Sequence, residues 1–123
     1  MTTRRCALIV DDSATMRQLI GFAVRRLPGL DLVEAENGVE ALRLLGERSF
    51  DVILLDINMP VMSGFTFLEA LQSRGDTPPV IVITTEEAQD DIDRALELGA
   101  AAYVTKPVTG PILADAIRQV IGD

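Results

Sequence analysis

Short apolar runs and amphipathic stretches alternate along the chain. The runs CALIV, DVILL and VIVIT are mainly apolar and do not alternate with polar residues, which is typical of strands covered on both faces in a parallel sheet. Two weaker runs, DLVEA and AAYVT, complete the set. The pattern predicts five strands, at residues 6–10, 31–35, 51–55, 80–84 and 101–105.

Between these runs, apolar residues recur at spacings of three and four, which predicts a helix after each strand. The first three helices begin after residues that can cap a helix N-terminus, namely Ser13, Asn37 and Ser63. The fourth ends at Gly99, and the fifth follows the segment 109–111. Alternating strands and helices joined by short loops predict an α/β fold, a parallel sheet with helices on both faces.

Composition narrows the classes of function. At 123 residues we expect a single domain over residues 1–123, without an output domain. The net charge of -8 argues against nucleic acid and anionic lipid as partners, and no apolar run approaches the ~20 residues that would cross a membrane. The single cysteine, Cys6, and the lack of a signal peptide predict a cytoplasmic protein.

Residues able to contact a phosphoryl group or a metal lie at or just after the carboxyl ends of four of the predicted strands. In parallel α/β sheets the ligand site forms beyond the carboxyl ends of the strands, so we expect these side chains to lie at one rim. They are Asp11, Asp12, Asp56, Thr84, Thr85 and Lys106.

Three aspartates at one rim should repel one another and raise the pKa of at least one carboxyl group, unless a cation is bound. Mg²⁺ fits this ligand set, with Mn²⁺ as an alternative, because the chain has no histidine and one cysteine to offer a softer metal. A carboxylate nucleophile, a metal and Lys106 together indicate phosphoryl transfer. Spacing alone does not choose the nucleophile among the three aspartates.

Five separated motifs resemble one known family, the receiver domains of two-component response regulators, and most closely the stand-alone CheY-like chemotaxis regulators. They are VDDS and TMR at 10–17, LLDINMPVMSG at 54–64, VITT at 82–85 and YVTKP at 103–107. The resemblance spans nearly the whole chain. It implies a flavodoxin-like (βα)5 fold with strand order 2-1-3-4-5, which makes the first and third strands neighbours.

The resemblance also implies roles for the rim residues. Asp56 resembles the phosphoacceptor, and Lys106 the lysine that contacts the phosphorylated aspartate. The resemblance implies that Asp11, Asp12, Asp56 and the backbone carbonyl of Asn58 bind Mg²⁺.

Further roles implied by the resemblance concern switching and the lifetime of the acyl phosphate. Thr84 resembles the switch hydroxyl and Tyr103 the aromatic side chain that moves with it. The Lys106–Pro107 peptide is expected to be cis. The residues expected to tune dephosphorylation are Asn58, Thr85 and Glu86.

The implied function is a phosphorylation-activated switch, which assists its own phosphoryl transfer and autodephosphorylation and is not otherwise an enzyme. The implied partners are a histidine kinase, a phosphatase and a target protein. The target binds the face formed by helix 4, strand 5 and helix 5, and the flagellar motor switch is a candidate for it. A phosphorelay intermediate or a phosphate sink are alternatives. A Mg²⁺-dependent aspartyl-phosphate phosphohydrolase and a flavodoxin-like nucleotide binder are more distant, because DDSAT has neither a D-x-D pattern nor a typical phosphate loop.

Overall fold

A computed structural model describes residues 5–57, 59, 61–75, 77–84, 89–106 and 108–122. Strands and helices alternate strictly along the chain, as the apolar pattern predicts. In chain order they are β1 (Arg5–Val10), α1 (Ala14–Arg25), β2 (Leu30–Ala35), α2 (Gly38–Glu47), β3 (Val52–Asp56), α3 (Gly64–Arg74), β4 (Val80–Thr84), α4 (Gln89–Glu97), β5 (Ala102–Thr105) and α5 (Gly110–Ile121).

The five strands form one parallel sheet in the order β2-β1-β3-β4-β5. This confirms the fold class and the strand order that the resemblance implied. The bounds differ slightly from those predicted: β3 extends to Asp56, one residue beyond the apolar run, because Asp56 still pairs with Ile83 of β4. Asp56 therefore belongs to the last rung of the sheet and not to the loop after it.

Local capping interactions set where the helices begin. The side chains of Ser13, Asn37 and Ser63 each accept a hydrogen bond from a backbone N–H in the first turn of α1, α2 and α3, as predicted. Thr109 does the same for α5. After α4, Gly99 has a φ of 104°, a conformation that favours glycine and ends the helix there.

Two apolar layers cover the two faces of the sheet. One lies beneath α2, α3 and α4 and contains Leu8 and Val10 of β1, while the other lies beneath α1 and α5 and contains Ala7 and Ile9. Alternate residues of a buried strand thus enter opposite layers. Among the described helices, none is long and apolar enough to span a membrane. With both faces covered, the polar ends of the strands emerge at the carboxyl rim.

Candidate functional site

Three aspartates meet at the carboxyl rim of the sheet. Asp11 directly follows β1 and Asp56 ends β3, and these two strands are paired side by side. One carboxylate oxygen of each of Asp11, Asp12 and Asp56 lies within 4.8 Å of the others. Asp11 and Asp56 are buried, with 1% and 5% of their surface exposed, whereas Asp12 is exposed. The cluster thus has one side that opens to solvent.

The hydrogen bonds of Asp11 leave a single polar atom without a partner. Its backbone N–H donates to the carbonyl of Ala35, its own carbonyl accepts from Arg17, and its Oδ1 accepts from the N–H of Ser13 at 2.9 Å. Among the described residues, Asp11 Oδ2 is the buried side-chain atom that has no hydrogen-bond partner. A buried carboxylate oxygen without a partner is costly unless a cation binds it.

This donor set fits a hard divalent cation. All three side chains offer oxygen atoms, one of the carboxylates is reachable from solvent, and Asp11 has one buried oxygen without a hydrogen-bond partner. These are the ligands that Mg²⁺ takes, usually with several waters retained. The cluster could therefore hold a metal ion.

Burial raises the pKa of Asp11 above its ordinary value, and nearby Asp12 adds to the rise. The N–H of Ser13 and the positive charges of Lys106 and Arg17 act in the opposite direction. The expectation that one rim carboxyl has a raised pKa is confirmed. Its main cause differs from the one assumed, because loss of hydration outweighs repulsion between the aspartates.

A cation lies close to Asp56, and the loop that carries it is bonded to the end of β4. Lys106 Nζ is 3.7 Å from Asp56 Oδ1, and both side chains are largely buried. The backbone N–H of Lys106 donates to the carbonyl of Thr84 at 2.8 Å, which ties the loop after β5 to the end of β4. Thr84 itself is 2% exposed. The structure thus brings together all the described residues that the sequence places at strand ends.

Known proteins share this arrangement of motifs. A family model described as the response regulator receiver domain matches residues 7–118. The chain belongs to this family.

Relatives of similar length support the assignment. The chemotaxis protein CheY homolog of Campylobacter jejuni is 36% identical over 118 residues, which cover 94% of this chain and 91% of that protein. The chemotaxis protein CheY of Pseudomonas aeruginosa is 37% identical over 115 residues, covering 92% and 93%. The structure of Vibrio cholerae CheY4 matches with a TM-score of 0.87 at 32% identity, covering 96% and 99%.

In this receiver domain, Tyr103 shares a small cleft with Thr84 at the carboxyl rim of the sheet. Tyr103 is 44% exposed and pairs with Val82 of β4. Its neighbour Val104 packs in the layer beneath α1 and α5, so Tyr103 lies on the opposite face, beside α4. Tyr103 and Thr84 line the same cleft, together with Ile57, Val82, Asp91 and Ile92.

Four predicted site residues lie outside the described residues: Asn58, Thr85, Glu86 and Pro107. The carbonyl of Asn58 as a metal ligand, the tuning of dephosphorylation by Asn58, Thr85 and Glu86, and the cis Lys106–Pro107 peptide stay predictions.

Two features of the site were missed by reasoning from sequence. Gly64 approaches the backbone after Asp56 so closely that a Cβ there would lie 2.6 Å from the Cα of Ile57 and 3.1 Å from the Asp56 carbonyl oxygen. Arg17 contacts both the Asp11 carbonyl and Glu34. Gly64 and Arg17 each stand in a motif of the resemblance, which was the available signal. Nothing in the sequence singles out Glu34.

Proposed function

We propose that this receiver domain is a phosphorylation-activated switch in which Asp56 accepts a phosphoryl group from the phosphohistidine of a histidine kinase. The observation that carries the proposal is the pairing of an oxygen-rich acidic cluster with Lys106, 3.7 Å from Asp56, at one rim. A carboxylate oxygen of Asp56 forms the new O–P bond as the P–N bond to the kinase histidine breaks, and the imidazole leaves and takes up a proton.

The residues around Asp56 have separate roles in this step. Asp11, Asp12 and Asp56, with the carbonyl of Asn58, would hold Mg²⁺, which would supply positive charge to offset that of the phosphoryl oxygens. Lys106 offsets charge on the other side, and its side chain is held in place by burial next to Asp56. The fixed geometry lets these charges act without rearrangement during the transfer.

Switching requires that the phosphoryl group favour one of two conformers. Moving a population from 1:99 to 99:1 requires a difference of about 5.5 kcal/mol, which exceeds the contribution of one hydroxyl hydrogen bond. Contacts from Lys106, Thr84 and backbone N–H groups must therefore act together. The cleft shared by Thr84 and Tyr103 supports a movement of Tyr103 coupled to Thr84.

The target surface in this proposal is the face formed by α4, β5 and α5. Three large apolar side chains are exposed there, Leu96, Tyr103 and Ile112. Helix α4 carries four acidic residues and one basic residue, namely Asp90, Asp91, Asp93, Glu97 and Arg94. The guanidinium of Arg94 lies 4.2 Å from the ring centroid of Phe65 on α3. A partner patch with apolar and basic residues would complement this face.

A role in chemotaxis is the version supported by the relatives that are named CheY, and we propose the flagellar motor switch as the target in that version. A relay intermediate or a phosphate sink would use the same chemistry and differ in how long Asp56 stays phosphorylated. That lifetime is set in our proposal by autodephosphorylation, tuned by Asn58, Thr85 and Glu86, and by a phosphatase. The single free cysteine is consistent with the cytoplasm as the location.

The proposal is tested by incubating the chain with acetyl phosphate or a histidine kinase, with and without Mg²⁺. We expect a hydroxylamine-labile adduct that maps to Asp56, depends on Mg²⁺ and is lost in Asp56→Asn. Asp115→Asn removes an equal charge from the exposed face of α5 and serves as the control that should still be phosphorylated. Absence of an adduct on the wild-type chain, or an adduct that persists in Asp56→Asn, would refute the assignment.

A further inference from the structure

Arg17 connects the loop that carries Asp11 and Asp12 to strand β2. Its Nη1 donates a 2.7 Å hydrogen bond to the backbone carbonyl of Asp11, and its Nε donates a 2.9 Å hydrogen bond to Glu34 Oε1. The Arg17 side chain is only 17% exposed. Glu34 is 51% exposed, so its bond to Arg17 is partly solvated, whereas the part-buried bond from the guanidinium to the Asp11 carbonyl holds its geometry better than a solvated surface pair does.

The bond to the Asp11 carbonyl fixes the direction of the peptide that joins Asp11 to Asp12. The Asp11 N–H is already held by the carbonyl of Ala35 in the sheet. Because a peptide unit is planar, holding the Asp11 carbonyl also sets where the Cα of Asp12 lies. Asp12 is exposed, and no hydrogen bond or ion pair of its side chain is found among the described residues. Its carboxylate therefore depends on the backbone for its placement.

Glu34 in turn holds Arg17. It lies on β2 opposite Ile9 of β1, so its carboxylate is carried by the sheet and not by a loop. The backbone N–H of Arg17 donates to the carbonyl of Ser13 in the first turn of α1. Arg17 thus joins three elements, and its two side-chain bonds start from separate nitrogens of one planar guanidinium, a fixed spacing that the single ammonium nitrogen of lysine does not reproduce.

We propose that Arg17, held by Glu34, is a positioning residue that orients the Asp11–Asp12 peptide so that the aspartates converge on a divalent cation. The inference rests on the proposed function, in which this cluster binds Mg²⁺. Arg17 does not touch the cation itself; it acts through the backbone of Asp11.

A positioning role and a purely electrostatic role of Arg17 predict opposite changes in the affinity for Mg²⁺. Arg17 carries a positive charge near the cluster, so removing that charge should strengthen Mg²⁺ binding if charge alone mattered. Loss of positioning should instead weaken binding, and groups that orient metal ligands typically contribute about 10- to 100-fold in affinity. The electrostatic effect should also shrink at high ionic strength, whereas a positioning effect should persist.

The test is calorimetric titration of Mg²⁺ into the full chain and its variants at low and high ionic strength. We expect Arg17→Gln to raise the Kd for Mg²⁺ about tenfold or more at both ionic strengths. Arg17→Lys keeps the charge and should also weaken binding, because one ammonium nitrogen cannot hold both partners at the spacing set by the guanidinium. Arg43→Gln removes the same charge from an exposed pair on α2 and should bind Mg²⁺ as the wild type does.

A second measurement uses the metal-free proteins. The backbone amide chemical shifts of Asp12 and Ser13 should change in Arg17→Lys and in Glu34→Gln, and should stay unchanged in Arg43→Gln. If Arg17→Gln fails to fold, Arg17→Lys and Glu34→Gln still decide the matter.

Tighter or unchanged Mg²⁺ binding in Arg17→Lys and Glu34→Gln, with unaltered amide shifts, would overturn the positioning role. Failure of the wild-type chain to bind Mg²⁺ would count against the proposed function instead. In that case the amide shifts of the metal-free variants would still test whether Arg17 orients the Asp11–Asp12 peptide.

Discussion

Replacing Gly64 with alanine should destabilise this protein, although the same change is favourable in most helices. Gly64 is the first residue of α3, and its N–H donates to the carbonyl of Ile57 at 3.0 Å. An added Cβ would lie 2.6 Å from the Cα of Ile57, about 1 Å inside the ordinary carbon–carbon contact distance of about 3.5–4.0 Å. Backbone atoms cannot rotate away as a side chain can, so either the start of α3 or the segment after Asp56 must move.

The magnitude follows from three opposing contributions. Overpacking of this kind typically costs about 1–3 kcal/mol, and weakening the bond from Gly64 to Ile57 adds about 1 kcal/mol. The gain in helix propensity from glycine to alanine is at most about 1 kcal/mol. The free energy of unfolding should therefore fall by about 1–3 kcal/mol, which corresponds to roughly 3–10 °C in the melting temperature for a domain of this size.

Urea denaturation followed by circular dichroism measures this change, and Gly46→Ala is the matched control. Gly46 lies near the end of α2, where a Cβ would meet only the guanidinium of Arg74, at 3.8 Å. That variant should gain about 0.5–1 kcal/mol. If Gly64→Ala proves as stable as wild type while Gly46→Ala is stabilised, the close approach at Ile57 does not constrain the site as argued.

Three further predictions concern the acidic cluster. Without Mg²⁺, Asp56→Asn should melt higher than wild type. At an effective dielectric constant of about 20, the two carboxylates within 4.8 Å each repel Asp56 by about 3.5 kcal/mol. Lys106, at 3.7 Å, attracts Asp56 by about 4.5 kcal/mol, so repulsion is the larger sum. Screening of the exposed Asp12 reduces the net gain to the order of 1 kcal/mol, and a lower melting temperature would contradict it. Because burial raises the pKa of Asp11 in the folded protein, the protonated carboxyl group favours the folded state. This contribution to the free energy of unfolding is complete below the pKa of the unfolded chain, near 3.8, and is lost as pH rises through the pKa of the folded protein. Asp11→Asn should therefore gain stability relative to the metal-free wild type between acid and neutral pH in paired denaturation curves, and a pH-independent difference would refute this. Mg²⁺ at about 100 times its Kd should stabilise the wild type by about 2.7 kcal/mol, and a thermal melt should show most of this lost in Asp11→Asn; an equal response in the two proteins would remove Asp11 from the metal site.

Much of the fold was predictable because its signals are local. A continuous apolar run and a capping side chain act over a few residues, so the strands and the caps at Ser13, Asn37 and Ser63 follow from the sequence nearby. The candidate site was predictable in outline for a related reason. Once the strands are parallel, their carboxyl ends meet at one rim, and the residues that follow them are brought together by topology.

Interactions between distant segments were not predictable in this way. Arg17 and Glu34 are 17 residues apart and meet only because β2 lies beside β1. The close approach of Gly64 to Ile57 depends on how the chain folds back after β3. Neither the composition of these segments nor their periodicity carries that information.

The sequence by itself determined that this chain alternates strands with helices and that aspartates, a threonine and a lysine lie at or just after the carboxyl ends of the strands. Its motifs also indicated the receiver family. Only the tertiary structure decided that Asp11 is buried with one oxygen left unpartnered, that burial rather than repulsion is the main reason its pKa is raised, and that Tyr103 and Thr84 share a cleft. Hydration, hydrogen bonding and contact between strands depend on the three-dimensional surroundings of each atom, which the order of residues along the chain does not state.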